Sequence, residues 1–187
     1  MESIFDPILD EDEKIVKIFK PKKSVVFAKS FLRVLLVFLF FGIFFVPSII
    51  MGAAEEGVNI NSIVLFSIIG YLGFFIIIAL ITWWFLSLYY KNVYFGYTNK
   101  RIVIRKGIFG VDYQTMDIKM IGASDVNVTL FDKILRKNTG SIRFGSTASP
   151  LLNANNVNNF MFASIETPYE IYKEIKSFIS KTTEKQG

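Results

Sequence analysis

The chain of 187 residues contains neither cysteine nor histidine. Those two absences remove disulfides, thiol nucleophiles, imidazole bases and most structural zinc arrangements together. Acid–base chemistry would then fall to carboxylates, Lys or Tyr. The carboxylates of the C-terminal half, Asp112, Asp117, Asp125 and Asp132, fall on turns or strand edges, and Asp112 and Asp117 do not even share a strand face. No glycine-rich phosphate loop of the G-x-G-x-x-G or Walker A spacing occurs. An enzyme is therefore not expected, nor is a metal or other cofactor. Charge is also missing from one long stretch, because residues 34–90 carry only Glu55 and Glu56.

That stretch holds two apolar runs. Residues 34–54 (VLLVFLFFGIFFVPSIIMGAA) and 62–90 (SIVLFSIIGYLGFFIIIALITWWFLSLYY) are uncharged. At about 1.5 Å per helical residue, each is long enough for the roughly 30 Å hydrocarbon core of a bilayer. Neither leaves a polar face for water, which argues against buried helices of a soluble protein. The 33 residues ahead of the first run are too long and too acidic for a secretory signal. Trp83, Trp84, Tyr89 and Tyr90 fit an interfacial aromatic belt. Lys14, Lys17, Lys20, Lys22, Lys23, Lys29 and Arg33 precede the first run, and Lys91, Lys100, Arg101, Arg105 and Lys106 follow the second. The linker EEGVNIN has no basic residue, so a multi-pass hairpin in the cell membrane with both termini cytoplasmic is expected. Pro47 with Ser48 is a place for a kink, and Ser67, Gly70 and Gly73 are candidates for close helix approach. No ionisable residue lies inside either span, which leaves proton relays and ion sites without support.

After Lys91 the hydrophobic period shortens towards two. Strands are expected over 92–98 (NVYFGYT), 101–106 (RIVIRK), 111–118 (VDYQTMDI), 124–130 (SDVNVTL), 141–144 (SIRF) and 160–165 (FMFASI), with turns at 99–100 and 107–110. In the fourth, Val126, Val128 and Leu130 share a side. Thr167, Pro168 and Glu170 then signal a helix start, and Ile171, Tyr172, Ile175, Phe178 and Ile179 make one apolar face. The organisation read from these patterns is a segment over 1–33, a helix hairpin over 34–90, a mainly-β domain over 91–182 and a flexible tail over 183–187. A single amphipathic helix after an antiparallel set suits the capping of a small, partly open barrel.

The order of motifs carries a resemblance. T-N-K-R-I and R-K-G-I-F-G run between Thr98 and Gly110, Ile118 and Ile121 follow at I-x-x-I spacing, Gly140-Ser141-Ile142 opens a strand, and T-P-Y-E-I-Y starts the last helix. With Glu13-Lys14-Ile15 and Lys20-Pro21 ahead of the hairpin, the chain resembles the bacterial PH-like domain of the YdbS-like membrane protein family. The resemblance implies two antiparallel sheets capped by a C-terminal α-helix, and it leaves activity open because the fold serves many binding roles. The Asn-rich stretch 153–159 (NANNVNN) departs from that pattern and reads as a solvated insertion in a late loop.

Residues 91–187 carry fourteen basic against eight acidic side chains. Lys100, Arg101, Arg105 and Lys106 form the main cluster and are candidate contacts for anionic lipid headgroups or a partner; Arg101 and Arg105 share a strand face. A structural turn at 98–101 is an equally strong reading of half that cluster. Lys133, Arg136, Lys137 and Arg143 read as a solvated face, and the spacing does not reproduce an inositide signature. Nucleic acid is not expected, since there is no recognition helix and a membrane accounts for the basic charge. The expectation is a membrane-anchored PH-like binding module at the inner leaflet. Its alternative is an accessory subunit of a larger transport or export assembly, meeting a membrane-protein partner or a second copy of itself.

Overall fold

The computed structural model describes residues 4–55, 60–147 and 160–184. Two compact units emerge: Phe27–Ser87, and Met1–Val26 together with Leu88–Gly187. Residues 56–59 of the linker expected as a hairpin turn, and the Asn-rich stretch 153–159, lie outside the described residues.

The first unit is a pair of helices. α1 (Lys23–Glu55) and α2 (Ile60–Asn92) have 33 residues each, and both are long and apolar enough to cross a membrane. Their rings pair in descending order, as an antiparallel hairpin requires: Phe31 with Phe75 at 6.1 Å, Phe38 with Tyr71 at 4.0 Å, and Phe45 with Tyr71 at 5.6 Å between centroids. The Tyr71 hydroxyl donates to the Phe38 carbonyl. Close approach occurs at Gly42, where an added Cβ would sit 3.0 Å from that hydroxyl, while Gly70 and Gly73 face open space. The expectation for Gly70 and Gly73 is thus corrected, because the bulk of Tyr71 needs its gap on the opposite helix. Pro47 lies inside α1, and the Ser48 hydroxyl donates to the Phe44 carbonyl at 2.6 Å beside it.

The second unit holds two antiparallel sheets and a C-terminal helix. β1 (Ile15–Phe19), β2 (Tyr94–Thr98), β3 (Arg101–Lys106) and β4 (Asp112–Asp117) form one sheet in that order. β5 (Ile121–Asn127), β6 (Thr139–Ser146) and β7 (Met161–Glu166) form the other. The short helix α3 (Leu130–Leu135) joins β5 to β6, and α4 (Pro168–Glu184) ends the unit. One core serves both sheets: Phe19, Phe95, Tyr97, Ile102 and Ile104 meet Ile142, Phe144, Phe162 and Ile165, and Ile175 of α4 covers them. The other apolar positions expected on α4, Ile171, Tyr172, Phe178 and Ile179, pack against the same cluster. The helix reaches Glu184, two residues into the stretch expected as a tail.

Three local expectations are corrected. Asn92 closes α2 rather than opening β2. Leu130 begins α3 instead of extending a strand, because Thr129 caps the helix: it accepts from the Asp132 amide at 3.4 Å, and Asp132 accepts the Thr129 amide at 3.1 Å. Most consequentially, the domain does not begin at Lys91, since residues 15–19 add an edge strand with Ile18 opposite Gly96 and Phe19 opposite Phe95.

Candidate functional site

Alternation along β3 sends Ile102 and Ile104 to the core and Arg101, Val103 and Arg105 to the outer face of the first sheet. Such a face would ordinarily be wet. Here Val103 is fully buried and Phe5 is 1% exposed, because the residues ahead of β1 fold back over it. Gly96 makes room: a Cβ there would lie 3.2 Å from the Phe5 ring and 3.1 Å from the Lys17 carbonyl.

Polar contacts fix this cover. Glu13, whose side chain is entirely buried, accepts from Arg101 Nε at 2.9 Å and Nη2 at 2.5 Å and from the Thr98 hydroxyl at 2.5 Å. Burial opposes its ionisation, but the donors of Arg101, Thr98 and the Asp10 amide outweigh that and lower its pKa from 4.5 to about 2. Arg101 Nη2 also reaches the Ile8 carbonyl at 3.0 Å, and Lys100 Nζ pairs with Asp12 at 2.5 Å. Asn99 accepts the Lys14 amide at 2.8 Å. The T-N-K-R turn is thereby bound to residues 8–14.

Arg105 and Lys106 stand elsewhere. The Arg105 guanidinium lies 5.8 Å from the Tyr94 ring and 5.9 Å from the Tyr113 ring, its cross-strand neighbours on either side. Its Nε is buried and meets no acceptor among the described residues. Lys106 projects from the opposite strand face at the edge of the β3–β4 turn, so the four cations predicted as one cluster separate: Lys100 and Arg101 bind residues 8–14, and Arg105 and Lys106 point to opposite faces.

Arg105 belongs instead to a basic and aromatic group built where β1 gives way to α1. Pro21 cannot donate to a sheet ladder, so β1 stops at Phe19; the Lys22 amide turns to the Ser164 carbonyl at 2.8 Å and α1 starts at Lys23. Lys20 Nζ then lies 4.3 Å from the Tyr94 ring and 4.6 Å from the Tyr90 ring, and it donates to the Tyr94 hydroxyl at 3.1 Å. The Tyr90 hydroxyl donates to the Pro21 carbonyl at 3.2 Å, and Lys23 Nζ is 6.0 Å from the same ring. Next to this group is a cleft of about 540 Å³ between β1 and α4, where Lys17 pairs with Glu174 at 2.7 Å and Lys22 with Glu166. Sequence reasoning noticed Lys20-Pro21 and the Tyr89-Tyr90 belt separately; the K-P-K-K run at the foot of an apolar span was the available signal. Arg143 of the second basic group is engaged by Asp125, its cross-strand neighbour, at 2.9 Å.

Two antiparallel sheets, a shared core and a capping C-terminal helix define a PH-like domain, a scaffold for binding rather than chemistry. The bacterial PH domain family matches residues 31–179, and the chain belongs to that family. No curated protein and no solved structure matches the chain. The matched range includes α2, β2–β7 and most of α1, while the cover at 4–14, β1 and Lys20 precede it.

Proposed function

We propose that this chain is a membrane-anchored binding module: α1 and α2 cross the lipid bilayer, and the PH-like domain engages anionic lipid headgroups at the inner leaflet. The supporting observation is the group of Lys20, Tyr90, Tyr94 and Arg105, assembled where the chain passes from β1 into α1 and from α2 into β2. Cations held over tyrosine rings next to an apolar span suit a headgroup phosphate, with the rings at the level of the interface. Arg105 and Lys106 remain in this role from the cluster read in the sequence. Lys100 and Arg101 instead hold the N-terminal cover.

The test uses the full chain, because a segment starting at residue 91 lacks strand β1. Native mass spectrometry of the protein released from micelles counts bound phosphatidylglycerol and phosphatidylcholine. Retention of phosphatidylglycerol should exceed that of phosphatidylcholine several-fold, and K20Q/R105Q/K106Q should abolish the preference. Equal retention of the two lipids by the unsubstituted chain refutes the headgroup reading.

A further inference from the structure

Phe109, at 81%, is the most exposed large apolar side chain among the described residues, and it sits in the folded β unit. Ile108 and Val111 beside it are exposed as well. These residues form the turn between β3 and β4, and the backbone there is tightly built. Gly107 has φ +148°, and a Cβ on it would meet the Gly110 carbonyl oxygen at 2.0 Å, so this turn needs glycine at 107 while Ile108 and Phe109 between the two glycines stay exposed. Three neighbouring apolar side chains exposed on one turn of a folded domain mark an interaction surface.

The turn is also tethered. Asn92 Nδ2 donates to the Gly107 carbonyl at 3.3 Å, and Asn92 is the last residue of α2, eight positions beyond Trp84 in the same helix. Arg105 and Lys106 close β3 immediately before the turn, one on each strand face. An apolar tip, adjoining cations and a hydrogen bond to the end of a bilayer-length helix match the interfacial zone of an anionic membrane.

We infer that residues 107–111 form a wedge that enters the lipid interface, with Phe109 as its leading side chain, so that the PH-like domain grips the membrane at a second point besides its helices. This rests on the reading that α1 and α2 cross the bilayer. The wedge fixes the domain against the surface, where Lys20 and Arg105 meet headgroups, and a domain without it would be tethered only through the ends of α1 and α2.

The absence of cysteine allows single-site labelling of the whole protein. Ile108→Cys, Lys119→Cys two residues beyond the far end of β4, and Phe66→Cys in α2 each carry an environment-sensitive dye, reconstituted in vesicles of phosphatidylcholine with phosphatidylglycerol. Lipid-borne quenchers at interfacial depth should quench the label at position 108 several-fold more than that at 119, and adding Phe109→Asp should remove most of the difference. Quenching at 108 no greater than at 119, or unchanged by Phe109→Asp, overturns the wedge while quenching at 66 upholds the spanning helices. Protection of position 108 from both lipid-borne quenchers and aqueous iodide also overturns it, in favour of a protein surface over the turn. A label at 66 untouched by lipid-borne quenchers of every depth refutes the spanning helices and the wedge with them.

Discussion

Phenylalanine meets opposite fates in the two units of this molecule. In the helix pair Phe40, Phe44 and Phe66 are 60–72% exposed, whereas Phe95, Phe144 and Phe162 in the β unit are at most 3% exposed. The helices satisfy their backbone internally and leave no polar face, so the bilayer proposed around them would complete the burial. The β unit makes its own interior, with Phe162 stacked at 5.0 Å on Phe95 and edge-on at 5.1 Å to Phe144. Hydrophobicity thus has two meanings along one chain. In the helices it leaves large rings exposed, and in the sheets it describes which residues meet one another.

Matched substitutions in micelles test that contrast, starting with its largest effect. Phe162→Ala should destabilise the β unit by about 3–5 kcal/mol, because a large ring leaves a packed core. Phe66→Ala should cost no more than about 0.5 kcal/mol, since it removes atoms that face the surrounding apolar medium. Denaturation followed by circular dichroism measures both, and equal losses would erase the distinction. The ion pairs divide in the same manner. Arg101→Ala strands the buried carboxylate of Glu13 and should cost about 3 kcal/mol, while Lys17→Ala, in an exposed pair with Glu174, should stay below about 1 kcal/mol. Hydrogen exchange of the β2 and β3 amides reports the first loss locally.

The helix pair was legible in the sequence because length, apolarity and missing charge are local properties. Strand β3 was read at its observed limits and the α4 face residue by residue, since periods of two and of 3.6 are local too. What escaped depends on contacts across the chain. Residues 15–19 alternate too briefly to announce a strand without their partner β2, which lies about 80 positions away in sequence. Nothing local in Asp10, Asp12 and Glu13 says that Lys100 and Arg101 are their counterparts. The basic group around Lys20 showed only as separate pieces for the same reason: its rings, Tyr90 at the end of α2 and Tyr94 in β2, lie beyond α1 and nearly all of α2 in sequence.

The buried pair also gives the β unit an acid sensitivity that the helices should lack. Glu13 titrates at about 2 in the folded protein against 4.5 for a free glutamate, a depressed carboxylate value. The unfolded chain therefore binds this proton first as pH falls, and the stabilisation from Glu13 is complete above pH 4.5 and disappears as pH drops towards 2. With one pKa unit worth 1.36 kcal/mol, acidifying from pH 7 to pH 3 should remove about 2 kcal/mol through this residue alone. Glu13→Gln starts from lower stability and should lose less over the same interval, by that same difference, which cancels the contribution of the other carboxylates. Parallel pH titrations of the two proteins, followed by exchange in β2 and β3 and by the helical signal, read the difference directly. Identical pH slopes would mean that the cover over the outer face is held by Phe5 and backbone pairing, with the Glu13–Arg101 charge pair secondary.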